Sequence, residues 1–153
     1  MCDLSRFVEA QAPDYDRALA ELRGGRKRSH WMWYVFPQLE GLGTSPTSKR
    51  FAIRSLDEAR AYLEHPVLGP RIRECAEAVL TVEGRSAREI LGSPDDLKLR
   101  SCATLFASVT PAGSVFHRVL DKYYGGARDP RTIERLDPTR DDRPRDARPQ
   151  GNR

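Results

Sequence analysis

The chain has 153 residues, 31% of them charged and 39% hydrophobic, the size and balance of one folded domain that buries roughly two-thirds of the surface its unfolded form exposes. Its formal net charge of +4 comes from 26 basic and 22 acidic residues spread along the sequence, a mixture that permits nucleic-acid contact without requiring it. Cys2, Cys75 and Cys102 have no CxxC spacing and argue against a disulfide framework, and no apolar run approaches the ~20 residues that cross a bilayer, so a cytoplasmic protein without a membrane partner is expected.

Leu4, Phe7 and Val8 have helical spacing, and a helix started by Asp3 is interrupted at Pro13. Asp14 then caps a second helix whose apolar stripe is Tyr15, Ala18, Leu19 and Leu22, stopped at Gly24-Gly25. Residues 26–38 run from a cationic group, Arg26-Lys27-Arg28, into a dense aromatic group, Trp31 to Phe36. Neither face of that stretch is polar, so it is either sandwiched or helical, and Pro37 ends it. Gly41 to Ser48 reads as loop by composition.

From Ser55 the helix signals are denser. Ser55 with Glu58 and Ser86 with Glu89 have capping-box spacing, and Gly69 starts a helix with Pro70 at its first position, ahead of Ile72, Cys75, Ala76 and Val79. Ser93 with Pro94, Thr110 with Pro111 and Asp129 with Pro130 repeat a cap-plus-proline start. The pattern predicts a mainly α domain over 1–137, with about six to eight short helices and room for one short extended element. Residues 138–153, with five arginines and three aspartates and almost nothing apolar, are expected to form a disordered tail. Without that tail the net charge is only about +2, so the basic character says little about partners.

Two segments carry the residue types a ligand site needs. Arg26, Lys27 and Arg28 can neutralise a phosphate or carboxylate, and Trp31, Trp33 and Tyr34 can stack a flat ring beside it. Gln38 offers an amide that both donates and accepts, and His30 is a candidate proton carrier. At the start of the later helix, Asp95 is a candidate base and Lys98 a further anion contact. The structural alternative is ordinary: a solvated basic turn, aromatic core anchors, and acids stabilised by exposed helix N–H groups. Cys75 and Cys102 fall on helical apolar stripes and read as core. His30, His65 and His117 are too scattered for zinc, so no metal site is predicted, and no cofactor is specified.

The same two segments carry a family resemblance. Arg26 to Gln38 with Gly41-Leu-Gly43, Leu63 to Gly69, Ser93 to Lys98 with Leu99 to Phe106, and Phe116 to Asp129 together resemble the DUF1810 family of small bacterial proteins. The resemblance spans Leu4 to about Leu136 and implies a compact, mainly helical domain; it implies no activity. Some members carry the label calpastatin, but an extended inhibitor needs a much longer low-complexity sequence than this patterned chain. Two functions are therefore expected as alternatives. One is binding of a nucleotide-like or other anionic small molecule, with catalysis open; the other is a non-enzymatic adaptor that binds protein or nucleic acid.

Overall fold

The computed structural model describes residues 3–137; Cys2 and the 138–153 tail lie outside the described residues. These residues form α1 (Ser5–Gln11), α2 (Tyr15–Arg23), α3 (Met32–Val35), α4 (Pro46–Arg50), α5 (Leu56–Glu64), α6 (Leu68–Thr81), α7 (Ala87–Leu91), α8 (Asp95–Ala107), α9 (Val115–Tyr124) and α10 (Pro130–Leu136). The architecture is mainly α, with more helices than the sequence pattern predicts. The additional ones are short turns, α3 and α4, in stretches with no clean apolar period. The extended element is a single parallel bridge between Leu39 and Ile53, closed by Glu40 N–H to the Ile53 carbonyl at 2.8 Å and Ile53 N–H to the Gln38 carbonyl at 2.9 Å.

The central helix is α8, packed against α5, α7, α9 and α10. Every residue from Ser101 to Ala107 is buried, so the C-terminal half of α8 lacks a solvent face and its apolar residues extend beyond one stripe. Its two buried hydroxyls are satisfied within the helix, Ser101 Oγ donating to the Leu97 carbonyl at 3.2 Å and Thr104 Oγ1 to the Arg100 carbonyl at 2.8 Å. A line of rings, Phe7, Tyr62, Phe106 and Phe116, joins α1, α5, α8 and α9 with centroids 5.1–5.4 Å apart. Burial pushes the Cys75 thiol up to about 12 and the Cys102 thiol well above its ordinary value, as expected of cysteines packed as core.

Several helix starts differ from the sequence expectation. Ser86 and Glu89 do form the reciprocal capping box, and Asp129 caps α10 through Thr132 N–H at 2.9 Å. At α5, Ser55 accepts from Glu58 N–H, but Glu58 turns to Arg54 N–H at 2.8 Å and to Arg6 at 3.2 Å, so the return bond is missing. Ser93 does not cap α8: the Pro94 carbonyl accepts from Lys98 N–H at 3.1 Å, which places Pro94 itself at the cap. Thr110 finishes α8, donating to the Phe106 carbonyl at 2.8 Å, and Ser114 rather than Thr110 starts α9. Asp14 precedes α2 but gives its carboxylate to Arg17 and to the Tyr34 hydroxyl instead of a backbone N–H.

Candidate functional site

The basic-aromatic segment is built around Glu21, on α2. Its carboxylate accepts from Arg28 N–H at 2.8 Å, Ser29 N–H at 3.1 Å, Ser29 Oγ at 2.6 Å and Trp31 Nε1 at 2.8 Å. Burial alone would raise its pKa, but these bonds outweigh that and hold it at about 2. The glycines and the cationic residues thus turn around a carboxylate already present in the chain. Glu21 has no sequence signal of its own; it is one acid among many on an amphipathic helix.

That arrangement separates the sequence candidates. Trp31 is fully buried, with an exposure of 0%, and its one polar atom is satisfied by Glu21; it is a core anchor and does not reach a ligand. Tyr34 packs against Phe51 with centroids 5.2 Å apart and bonds to Asp14, and burial followed by that bond pushes its hydroxyl up to about 12. Arg26, Arg28 and His30 are exposed and line none of the clefts described below. The His30 side chain has no hydrogen bond or ion pair among the described residues, and no contact joins it to Asp95.

Asp95, in contrast, gathers two of the predicted cations. Its Oδ2 lies 3.0 Å from Lys27 Nζ and its Oδ1 3.7 Å from Lys98 Nζ. Each ammonium also faces an indole, Lys27 over Trp31 at 5.3 Å and Lys98 over Trp33 at 5.5 Å. The Lys27 side chain is only 9% exposed, whereas that of Lys98 is 24% exposed and reaches open space.

That space is an inner cleft of about 60 Å³, bounded by Trp33, Phe36, Gln38, Gly43, Lys49 and Lys98. An outer cleft of about 370 Å³ shares Gln38, Gly43 and Lys98 with it and adds Leu97, Arg100 and Arg131. Across both walls four cations, Lys49, Lys98, Arg100 and Arg131, face two carboxylates, Glu40 and Asp129. The Gln38 backbone is fixed by the Ile53 bridge, while its side-chain amide has no partner among the described residues.

The glycine loop forms the lip between the clefts. Gly41 has φ +93° and lies so close to the Arg135 guanidinium that a Cβ would sit 2.3 Å from it; a Cβ on Gly43 would sit 2.6 Å from that of Ser48. Arg131 Nη2 donates to the Leu42 carbonyl at 3.3 Å. Two basic residues of the last helix, four apart, therefore hold the loop. The sequence reading missed Lys49, Arg131 and Arg135; the only signal available was the basic i, i+4 spacing on α10.

Together these features define a small, mainly helical domain whose predicted site residues fall in three places: a buried anchor, an open, cation-lined pair of clefts, and an exposed basic turn outside both. The chain belongs to the DUF1810 family, described as proteins of unknown function, with the match running over residues 1–136. Among solved structures it resembles the conserved hypothetical protein Rv1873 from Mycobacterium tuberculosis at 59% identity and a TM-score of 0.86, covering 88% of this chain and 96% of that one. No curated protein matches it. Among the described residues no helix is long and apolar enough to cross a membrane, and no group of three metal-ligating side chains converges.

Proposed function

We propose that this domain binds a small anionic ligand with a flat, nucleotide-like ring, seated against Trp33, Gln38 and Lys98. The observation that carries the reading is the half-buried Trp33 in the inner cleft with the ammonium of Lys98, a residue of both clefts, 5.5 Å from its ring centre. An indole face supplies stacking area, the adjoining cation supplies charge, and an amide without a protein partner supplies hydrogen bonds that orient a heterocycle. The excess of cations along both walls favours an anion over a cation. No reaction is part of the proposal, because Asp95 is engaged by two lysines and His30 lies outside both clefts.

The experiment is a fluorescence and thermal-shift screen of the full chain with nucleotides, nicotinamide derivatives and aromatic carboxylates. A ligand of this class should quench Trp33 and raise the melting temperature, and Trp33→Ala should weaken it at least about tenfold. A ligand whose affinity ignores both Trp33→Ala and Lys98→Gln removes the reading. The second reading, an adaptor that binds a polyanion or protein, is favoured by one observation: Arg26, Arg28 and His30 are exposed outside the clefts. It predicts salt-sensitive binding of single-stranded nucleic acid or an acidic protein that is lost in Arg26→Gln/Arg28→Gln and indifferent to Trp33→Ala.

A further inference from the structure

We infer that the outer cleft is a phosphate subsite and that the ligand is a ribonucleoside diphosphate lying across both clefts, its ring at Trp33 and its phosphates between Lys98 and Arg131. This rests on the ring-binding reading of Trp33, Gln38 and Lys98. The inner cleft, about 60 Å³, admits the edge of a ring and little more; the outer, about 370 Å³, must take the rest of any ligand that enters. Because Lys98 belongs to both walls, a molecule leaving the inner cleft passes directly beside an ammonium group.

The outer wall holds three cations, and they are not equivalent. Arg100 is committed, its Nε and Nη2 donating at 2.9 Å to the carbonyls of Ala127 and Arg128. Arg131 is held by one arm only, Nη2 on the Leu42 carbonyl at 3.3 Å, and its Nε and Nη1 have no partner among the described residues. A guanidinium anchored on one edge presents the other as a ready fork for phosphate oxygens. Lys98 lies 3.7 Å from Asp95, too far for a tight bond, so its ammonium keeps donors for a second phosphoryl group.

Asp129 distinguishes this cleft from a bare anion hole. Its Oδ2 is filled by Thr132 N–H at 2.9 Å and Thr132 Oγ1 at 2.6 Å, leaving Oδ1 without a partner among the described residues. A free carboxylate oxygen amid cations repels a lone inorganic anion but accepts from a hydroxyl, the arrangement by which acids hold ribose beside a diphosphate. Exposed Leu97, at 54%, gives the same wall an apolar surface that a sugar can cover.

The test is calorimetric titration of the full chain with the four common ribonucleoside 5′-monophosphates and 5′-diphosphates, in wild type, Arg131→Gln, Arg131→Lys and Trp33→Ala, each first checked for a native melting transition. One diphosphate should bind about tenfold tighter than its monophosphate. Arg131→Gln should cost the diphosphate clearly more affinity than the monophosphate and so shrink that preference, Arg131→Lys should retain part of it, and Trp33→Ala should weaken both nucleotides alike. Equal wild-type affinities, or an Arg131→Gln that weakens both equally, overturns the outer subsite and leaves the ring-binding reading intact. Failure of every nucleotide while another ring-bearing anion quenches Trp33 also overturns only the subsite; nucleotide binding indifferent to Trp33→Ala overturns both.

Discussion

Two lysine–tryptophan pairs meet at Asp95, Lys27 with Trp31 and Lys98 with Trp33, and nearly the same contact geometry serves different ends. The lysine-to-ring distances are 5.3 and 5.5 Å. What differs is the surroundings. The Lys27 pair is enclosed, with the lysine side chain 9% exposed and its backbone N–H tied to the Ile90 carbonyl of α7 at 2.7 Å, and Trp31 is locked by Glu21. The Lys98 pair faces a cleft. A cation over an aromatic ring therefore says nothing about ligand binding by itself; the space beside the pair decides whether it is an anchor or a surface.

Removing each partner in turn is the direct way to break this comparison. The largest effect is expected for Trp31→Ala, a loss of about 4 kcal/mol read from the urea midpoint, because it empties a core site and removes one of the four hydrogen bonds to Glu21. The same truncation at half-buried Trp33 should cost about 1 kcal/mol, and equal costs at the two positions would erase the distinction. Asp95→Ala comes next, at about 3 kcal/mol, since it leaves the nearly buried Lys27 ammonium without its carboxylate. If Lys98 also depends on Asp95 for its place over Trp33, the same variant weakens ligand binding, whereas Asp95→Glu should restore part of both.

Glu21 sharpens the comparison through pH. Its carboxyl is held at about 2 against an ordinary 4.5, so its stabilisation is complete above pH 4.5 and disappears as the pH falls towards 2. Solvent screening reduces the expected size to about 2 kcal/mol. The gap in unfolding free energy between wild type and Glu21→Gln should therefore narrow across that window, and a gap independent of pH would show that the carboxylate is not the hub of the turn. The smallest effect is optical. With only two tryptophans in the chain, Trp33→Phe isolates Trp31, and its fluorescence should be little affected by acrylamide while the wild type is visibly quenched.

Much of the fold was legible because it is set locally. Ser86 with Glu89 and Asp129 with Pro130 mark helix starts through bonds spanning three residues, and the stripes of α2, α5 and α6 follow the helical period. Legibility failed where distant groups competed for the same atom: Glu58 leaves its capping box for Arg6 and Arg54, and Asp14 gives up its cap for Tyr34 and Arg17. For the site, Trp33, Gln38 and Lys98 were identifiable as residue types able to bind a ring and an anion. Their convergence was not, nor was the place of Arg131, which comes to Leu42 from 89 positions along the chain.

The sequence by itself determined that this is a mainly helical domain, that Cys75 and Cys102 lie on apolar stripes, and that cations and aromatics are concentrated between Arg26 and Gln38. These are properties of composition and short-range spacing. Only the tertiary structure decided which tryptophan is enclosed and which is accessible, because alternation along residues 31–36 is equally apolar on both faces and gives the chain no local instruction. Glu21 supplies it from the preceding helix, pulling Trp31 inward with one hydrogen bond to its indole, while Trp33 is left beside Lys98 at the edge of the cleft.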